Sequence, residues 1–217
     1  MALNENKSMK IVTRKIGPDY PPFIIAEMSA NHNGDINRAL EIIRLAADVG
    51  ADAIKIQTYT ADTITIDHES KEFTINDGPW RGRTLYDLYK EAHMPWDWHP
   101  KIFNYAKNLN IPIFSSPFDF TAVDFLETLG CPAYKIASFE CGDTSLIQKV
   151  ARTNKPIIIS TGLANQSDIE QAVKVAKDNN NNNIALLHCV SAYPAKHEDA
   201  NLKTISYLNK KYPALVG

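Results

Sequence analysis

Six short apolar runs punctuate the chain: Phe23–Met28, Ala53–Tyr59, Ile111–Pro117, Ala133–Ser138, Pro156–Thr161 and Ile184–Val190. They are rich in Ile and Val and do not alternate strictly with polar residues. That is the pattern of strands buried on both faces, which occur mainly in parallel sheets. A seventh run, Ala214-Leu215-Val216-Gly217, reads as the start of a further strand. Amphipathic stretches lie between the runs. Ile36–Val49 sets Ile36, Leu40, Ile43 and Ala47 on one stripe, and Ala122–Leu129, Leu146–Arg152, Ile169–Lys177 and Leu202–Lys210 read similarly. Gly50 and Gly130 stand where helix C-caps are expected, and Asp143-Thr144-Ser145 and Ser167-Asp168 where N-caps are expected. The unit that repeats is β-α, with right-handed crossovers.

One interval is too long for a plain repeat. Thr60 to Asn110 holds a polar loop, Asp67–Arg83, and then two helical stretches, Thr84–His93 and Trp98–Asn108. A long βα connection on the functional edge shapes access to a ligand. Trp80, Trp96 and Trp98 either pack it down or wall off an apolar part of that ligand. The low-complexity run Asn179–Asn183 reads as a solvated loop between helix and strand.

Polar residues collect at the C-terminal ends of the runs: Glu27, Lys55 and Gln57, Ser115-Ser116, Lys135 to Ser138, Ser160-Thr161, and Ser191 to Tyr193. In α/β folds that edge carries the site. No G-x-G-x-x-G or Walker loop is present, which argues against a nucleotide-binding open sheet. The fold class read from this pattern is α/β, a (β/α)8 TIM barrel. Such a barrel takes about 250 residues, and the 217 residues here stop in strand seven. The expected organisation is an N-terminal extension over 1–19 and an incomplete barrel domain over 20–217, truncated in strand seven.

Composition narrows the chemistry. The chain has 23 basic and 25 acidic side chains and a net charge of −2, which argues against a nucleic-acid backbone as partner. No apolar run approaches the roughly 20 residues of a membrane helix, and Met1–Lys10 has no apolar core of a secretory signal. The three cysteines, Cys131, Cys141 and Cys189, are too few and too irregular for a disulfide framework or a zinc site. A reducing cytoplasm is the expected compartment.

Lys55 and Lys135 stand inside apolar strands, where an ammonium is costly to bury unless an anion meets it. One reading is a structural ion pair with Glu27 or Glu140. The other is a clamp in which both lysines face one anionic ligand. Ser138, Ser160 and Ser191 sit where hydroxyls suit phosphate oxygens, although a serine there is often a cap. Glu27 suits hydroxyl binding or proton transfer, and Gln57 shares the face of Lys55 at i+2. Tyr193, before Pro194, offers a phenol to a sugar or packs a turn. His188 and Cys189 read as core, and His32 lies on the active-face loop.

These residues carry a resemblance. Phe23-Ile24-Ile25-Ala26-Glu27-Met28-Ser29-Ala30-Asn31-His32-Asn33-Gly34 resembles the opening motif of the sialic acid synthase family, the phosphoenolpyruvate-dependent nonulosonic acid synthases. Ala53–Thr58, Pro132–Cys141, Pro156–Gly162 and Leu186–Cys189 resemble its second, fourth, fifth and sixth strands, in order. Trp80–Tyr89 and Pro95–His99 are most similar to the pseudaminic acid synthase branch. The resemblance implies an enzyme, a transferase condensing phosphoenolpyruvate with 2,4-diacetamido-2,4,6-trideoxy-altrose and releasing phosphate by C–O cleavage. N-acetylneuraminic and legionaminic acid synthases are the alternatives within the family. A Schiff-base aldolase or a non-catalytic sugar- or phosphate-binding barrel are the alternatives outside it.

The resemblance also implies roles. Lys55 and Lys135 hold phosphoenolpyruvate, with Ser138, Ser160 and Ser191 around it. Glu27, Gln57 and Tyr193 contact the sugar, and Glu140 activates or orients water. It implies a divalent metal, Mn2+ by family habit, whose two histidine ligands fall beyond Gly217. It further implies a C-terminal antifreeze-like domain absent from these residues, a homodimer at full length, and little activity for this piece alone.

Overall fold

The computed structural model describes residues 7–192 and 194–217. They form two compact units, one of Ile24–Cys131 and one combining the residues up to Phe23 with Pro132–Gly217. At the N-terminus β1 (Met9–Ile11) and β2 (Arg14–Ile16) pair as an antiparallel hairpin. This hairpin occupies part of the segment read as an extension. Met9 and Ile11 are buried while Lys10 is exposed. Alternation over three residues is too short a signal to stand out from a polar leader.

The unit Ile24–Cys131 contains β3 (Ile25–Glu27), α1 (Ile36–Asp48), β4 (Ala53–Thr58), α2 (Ala61–Ile64), α3 (Leu85–Ala92), α4 (His99–Asn108), β5 (Ile113–Pro117) and α5 (Phe120–Thr128). Its three strands are parallel in the order β3-β4-β5. Asp35 caps α1 by accepting from the Asn37 N–H, and Gly50 follows the helix at φ 84°. A residue with a Cβ resists that conformation, so the glycine marks the helix stop as expected. Ala39, Ile43 and Ala46 of α1 pack in one core with Ile54 and Ile56 of β4 and Ile102 and Ala106 of α4. The other face of β4 carries Lys55 and Gln57, both half-buried.

At the start of α4, His99 is fully buried. Its Nδ1 lies 3.2 Å from the Pro95 carbonyl and its Nε2 3.0 Å from the Thr58 hydroxyl, which in turn lies 2.7 Å from the Ser115 hydroxyl. The carbonyl can only accept, so Nδ1 carries the proton and Nε2 accepts from Thr58. Burial lowers the imidazole pKa to about 4, against smaller opposing effects of the Pro95 carbonyl, Asp97 and Trp96.

The second unit contains β6 (Tyr134–Ile136), α6 (Thr144–Ala151), β7 (Ile157–Ser160), α7 (Gln166–Asp178), β8 (Ile184–Leu187), α8 (Lys203–Lys211) and β9 (Leu215–Val216). These strands too are parallel, in the order β6-β7-β8-β9. The seventh parallel strand thus falls where the last apolar run predicts it. Asp143 caps α6 as expected. The cap of α7 lies earlier than Ser167-Asp168: Asn165 accepts from the Ser167 and Asp168 N–H groups, and Asp168 accepts from the Asn165 N–H at 2.9 Å. Asp168 is therefore the far end of a capping box whose first member is Asn165.

The Asn179–Asn183 run is more than a solvated loop. Asn181 is only 2% exposed. Its Nδ2 donates to the carbonyls of Ala151 (3.3 Å) and Lys155 (2.8 Å), and its Oδ1 accepts from the Asn183 N–H. One asparagine thereby ties the β8 entrance to the end of α6. Replacing Asn181 with Ala removes one donor from each of two carbonyls, of which Ala151 keeps the Asn154 N–H, and lowers unfolding free energy by about 1–2 kcal/mol. Exposed Asn182→Ala changes it by less than about 0.5 kcal/mol in the same urea titration. Among the described residues, no helix is long and apolar enough to cross a membrane.

Candidate functional site

Parallel register sets Glu27 at the end of β3 directly opposite Lys55 on β4, and the two side chains form an ion pair. Glu27 also accepts the Ser29 N–H at 3.1 Å, where the chain turns with Ser29 at φ 49°. A non-glycine residue in that region is strained by about 1 kcal/mol or more, and the carboxylate helps hold it. The motif after the strand continues as a tight turn. Asn31 Nδ2 donates to the Met28 carbonyl, and His32 Nδ1 accepts from the Gly34 N–H. His32, read as a loop residue near substrate, is only 1% exposed and lies edge-on to Trp98. Its Nε2 is buried without a hydrogen-bond partner. Trp96 stacks on Phe125 and donates to the Tyr59 carbonyl at 3.2 Å, so these two tryptophans pack the long connection down. Trp80 stays half-exposed.

The second unit gathers a separate group. Lys135, on β6, is 8% exposed and donates from Nζ to the Ser160 hydroxyl at 2.5 Å and to the Ile136 carbonyl at 2.9 Å. Ser160, at the end of β7, also accepts from the Cys189 thiol at 3.2 Å. With two donors on its oxygen, the Ser160 proton turns toward another acceptor. Ser138, after β6, accepts the Gly162 N–H at 3.3 Å. Ser191, after β8, lies against the same glycine.

Glu140 follows in the short 3-10 turn Phe139–Gly142. Its Oε2 is buried without a hydrogen-bond partner. Burial raises its carboxyl pKa above the usual range. Its own backbone N–H and the charge of Lys135 oppose that shift, and Asp143 adds to it. The Lys135 ammonium thus bonds to Ser160 while its charge acts on Glu140. Tyr193 lies outside the described residues. His188, read as core, is half-buried and lies 2.7 Å from the Ala200 carbonyl.

Cys189 and Gly162 belong to this group although the sequence reading singled out neither for it. Cys189 reads as core because no cation or helix N-terminus adjoins it in sequence, whereas its partner is 29 residues earlier in the chain. Gly162 had a usable signal: a glycine just past a strand end often marks close approach of another chain segment. A divalent metal finds no ligand set here. Among the described residues, no three His, Cys, Asp or Glu side chains could together hold a metal ion.

A family model described as the NeuB family matches residues 42–217. The pseudaminic acid synthase of Helicobacter pylori is 46% identical over 197 residues, covering 91% of this chain and 58% of that protein. The N,N'-diacetyllegionaminic acid synthase of Campylobacter jejuni is 37% identical over 201 residues, covering 89% of this chain and 59% of that one. The crystal structure of the N-acetylneuraminic acid synthetase from Leptospira borgpetersenii in complex with citrate superposes with a TM-score of 0.86 at 34% identity. It covers 98% of this chain and 69% of its own. The chain thus spans less than two thirds of the length of these curated relatives. The parallel βα repeat and this likeness make the fold a (β/α)8 barrel of that kind. A family match over most of the chain establishes that the chain belongs to the NeuB family.

Proposed function

We propose that this chain is the barrel portion of a phosphoenolpyruvate-dependent pseudaminic acid synthase acting in the cytoplasm. The observation that carries the reading is Lys135: a nearly buried ammonium at a strand end, bonded to Ser160, in a chain nearer to a pseudaminic acid synthase than to a legionaminic one. A buried cation with hydroxyls around it suits a compact dianion. In this reading Lys135 and Ser160 hold phosphoenolpyruvate, and Ser138 and Ser191 supply further hydroxyl donors. Lys55 adds charge, and Glu27, Gln57 and Tyr193 bind the sugar. Carbon 3 of the enol ester attacks the sugar aldehyde. Water then adds at carbon 2, and phosphate leaves with its bridging oxygen. Glu140, with its carboxyl pKa raised by burial, orients that water and exchanges its proton. The homodimer implied by the family belongs to the same proposal.

Titration calorimetry tests it. The chain is expected to bind phosphoenolpyruvate more tightly than pyruvate. With phosphoenolpyruvate bound, it is expected to take 2,4-diacetamido-2,4,6-trideoxy-altrose in preference to the acceptors of legionaminic and N-acetylneuraminic acid synthases. A reversed sugar preference moves the chain to another branch, and absence of phosphoenolpyruvate binding removes the reading.

A further inference from the structure

We infer that Gly162 is a positioning residue that sets the hydroxyls of Ser138 and Ser191 on a single ligand oxygen; the inference deepens the anion-binding reading above and rests on it. Gly162 follows β7 and takes no positive φ, so its backbone is open to any L residue and conformational freedom does not explain the glycine. Space does. A Cβ placed there would lie against Ser191 Oγ, 2.9 Å from the Cys189 carbonyl oxygen and 3.1 Å from Ser138 Oγ. Carbonyl backbone cannot yield as a flexible side-chain tip can.

The two hydroxyls therefore share one small region over the glycine, each within 3.1 Å of the same point. The Gly162 N–H fixes Ser138 by donating to its oxygen at 3.3 Å. That bond occupies a lone pair of Ser138 and leaves its proton to donate elsewhere. Ser138 comes from the end of β6, Ser191 from beyond β8, and Gly162 from the end of β7 between them. The glycine is thus the spacer that lets donors from two non-adjacent strands address one acceptor. Ser160, two residues before it, accepts from Lys135 and Cys189 and so keeps its own proton for another acceptor. The acceptor this arrangement fits is one oxygen of a phosphate or carboxylate group.

A double-mutant cycle on the 217-residue chain reads this out, with phosphoenolpyruvate and inorganic phosphate as calorimetric probes. Gly162→Ala is expected to weaken binding about tenfold or more, because the new methyl displaces Ser191. Ser191→Ala alone is expected to weaken it only a few-fold. In the double variant the contact with the Ser191 hydroxyl is gone while the Cys189 carbonyl still crowds the methyl, so binding is expected to recover in part, to between that of Gly162→Ala and that of Ser191→Ala. A double variant that binds no tighter than Gly162→Ala overturns the inference. Wild-type binding of phosphate without phosphoenolpyruvate removes the proposed function but leaves the cycle to be read on phosphate. Binding of neither removes both. A wild-type crystal soaked in inorganic phosphate gives an answer that needs no variant to fold. One phosphate oxygen within hydrogen-bond reach of both Ser138 and Ser191 is expected, and an oxygen on only one or neither of them overturns the inference.

Discussion

Lys135→Met weakens phosphoenolpyruvate binding by about a hundredfold or more and leaves the fold at least as stable. The ammonium is buried on β6 and bonded to Ser160. At an effective dielectric near 20, a unit charge about 4 Å from an anion contributes about 4 kcal/mol, and a charge-assisted hydrogen bond about 1.5–3 kcal/mol. A hundredfold loss corresponds to about 2.7 kcal/mol, within either figure. Met has nearly the length of the lysine stem and carries no charge to desolvate, and replacing a buried ion with an apolar residue of like volume is often neutral or stabilising. Ser160 keeps the Cys189 thiol as a donor. Calorimetry and a thermal melt separate the two roles. Lost binding with an unchanged melting temperature is the expected pair, whereas a lowered melting temperature with intact binding makes Lys135 a structural ion.

Acid weakens the fold through His99, by about 2 kcal/mol at pH 5 and about 3 kcal/mol at pH 4. The folded-state pKa is lowered from an ordinary 6.5 to about 4. The unfolded chain therefore takes up a proton first as the pH falls, and stability present above pH 6.5 is lost progressively toward pH 4. At roughly 1.4 kcal/mol per pKa unit, the full difference comes to about 3 kcal/mol. The structural reason is the donor order around the ring. Nδ1 already donates to Pro95, so a proton on Nε2 meets the Thr58 hydroxyl and forces the Thr58–Ser115 bond to turn round. His32 adds in the same direction, since burial and the neighbouring His93 lower its pKa too. Urea titrations at pH 7.5, 6, 5 and 4 on wild type and His99→Gln measure the effect. The difference between the two proteins is expected to shrink by about 2–3 kcal/mol over that range. A constant difference contradicts the burial argument.

Most of the strand plan was legible because each buried strand is a short Ile- and Val-rich run closed by a turn signal. Ile157–Ser160 and Ile184–Leu187 fall inside their expected runs, trimmed by one to three residues where the polar strand ends begin. The helix stops at Gly50 and Gly130 were legible for a local reason, as both take a positive φ. What escaped depends on partners distant in sequence or on units too short to show a period. The β1–β2 hairpin has three residues a side, and its turn carries Val12 at φ 52° in place of an Asn-Gly signal. Asn181 looks like one of five equivalent asparagines until Ala151 and Lys155 are brought to it.

The candidate site divides the same way. Glu27 and Lys55 were expected either as an ion pair or as separate functional groups, and parallel register makes them a pair. That Lys135 has Ser160 as its near partner, and that Gly162 and Cys189 join the group, are facts of β6, β7 and β8 lying side by side in register. Residue types alone do not carry that information.

The most direct measurement is a crystal structure of the chain grown with phosphoenolpyruvate. The intact enol ester is expected at the ends of β6, β7 and β8, with anionic oxygens within about 3 Å of Lys135 Nζ and the Ser160 hydroxyl, and no covalent link. Density continuous with the Lys135 side chain, or a ligand seated away from Lys135 and Ser160, contradicts it.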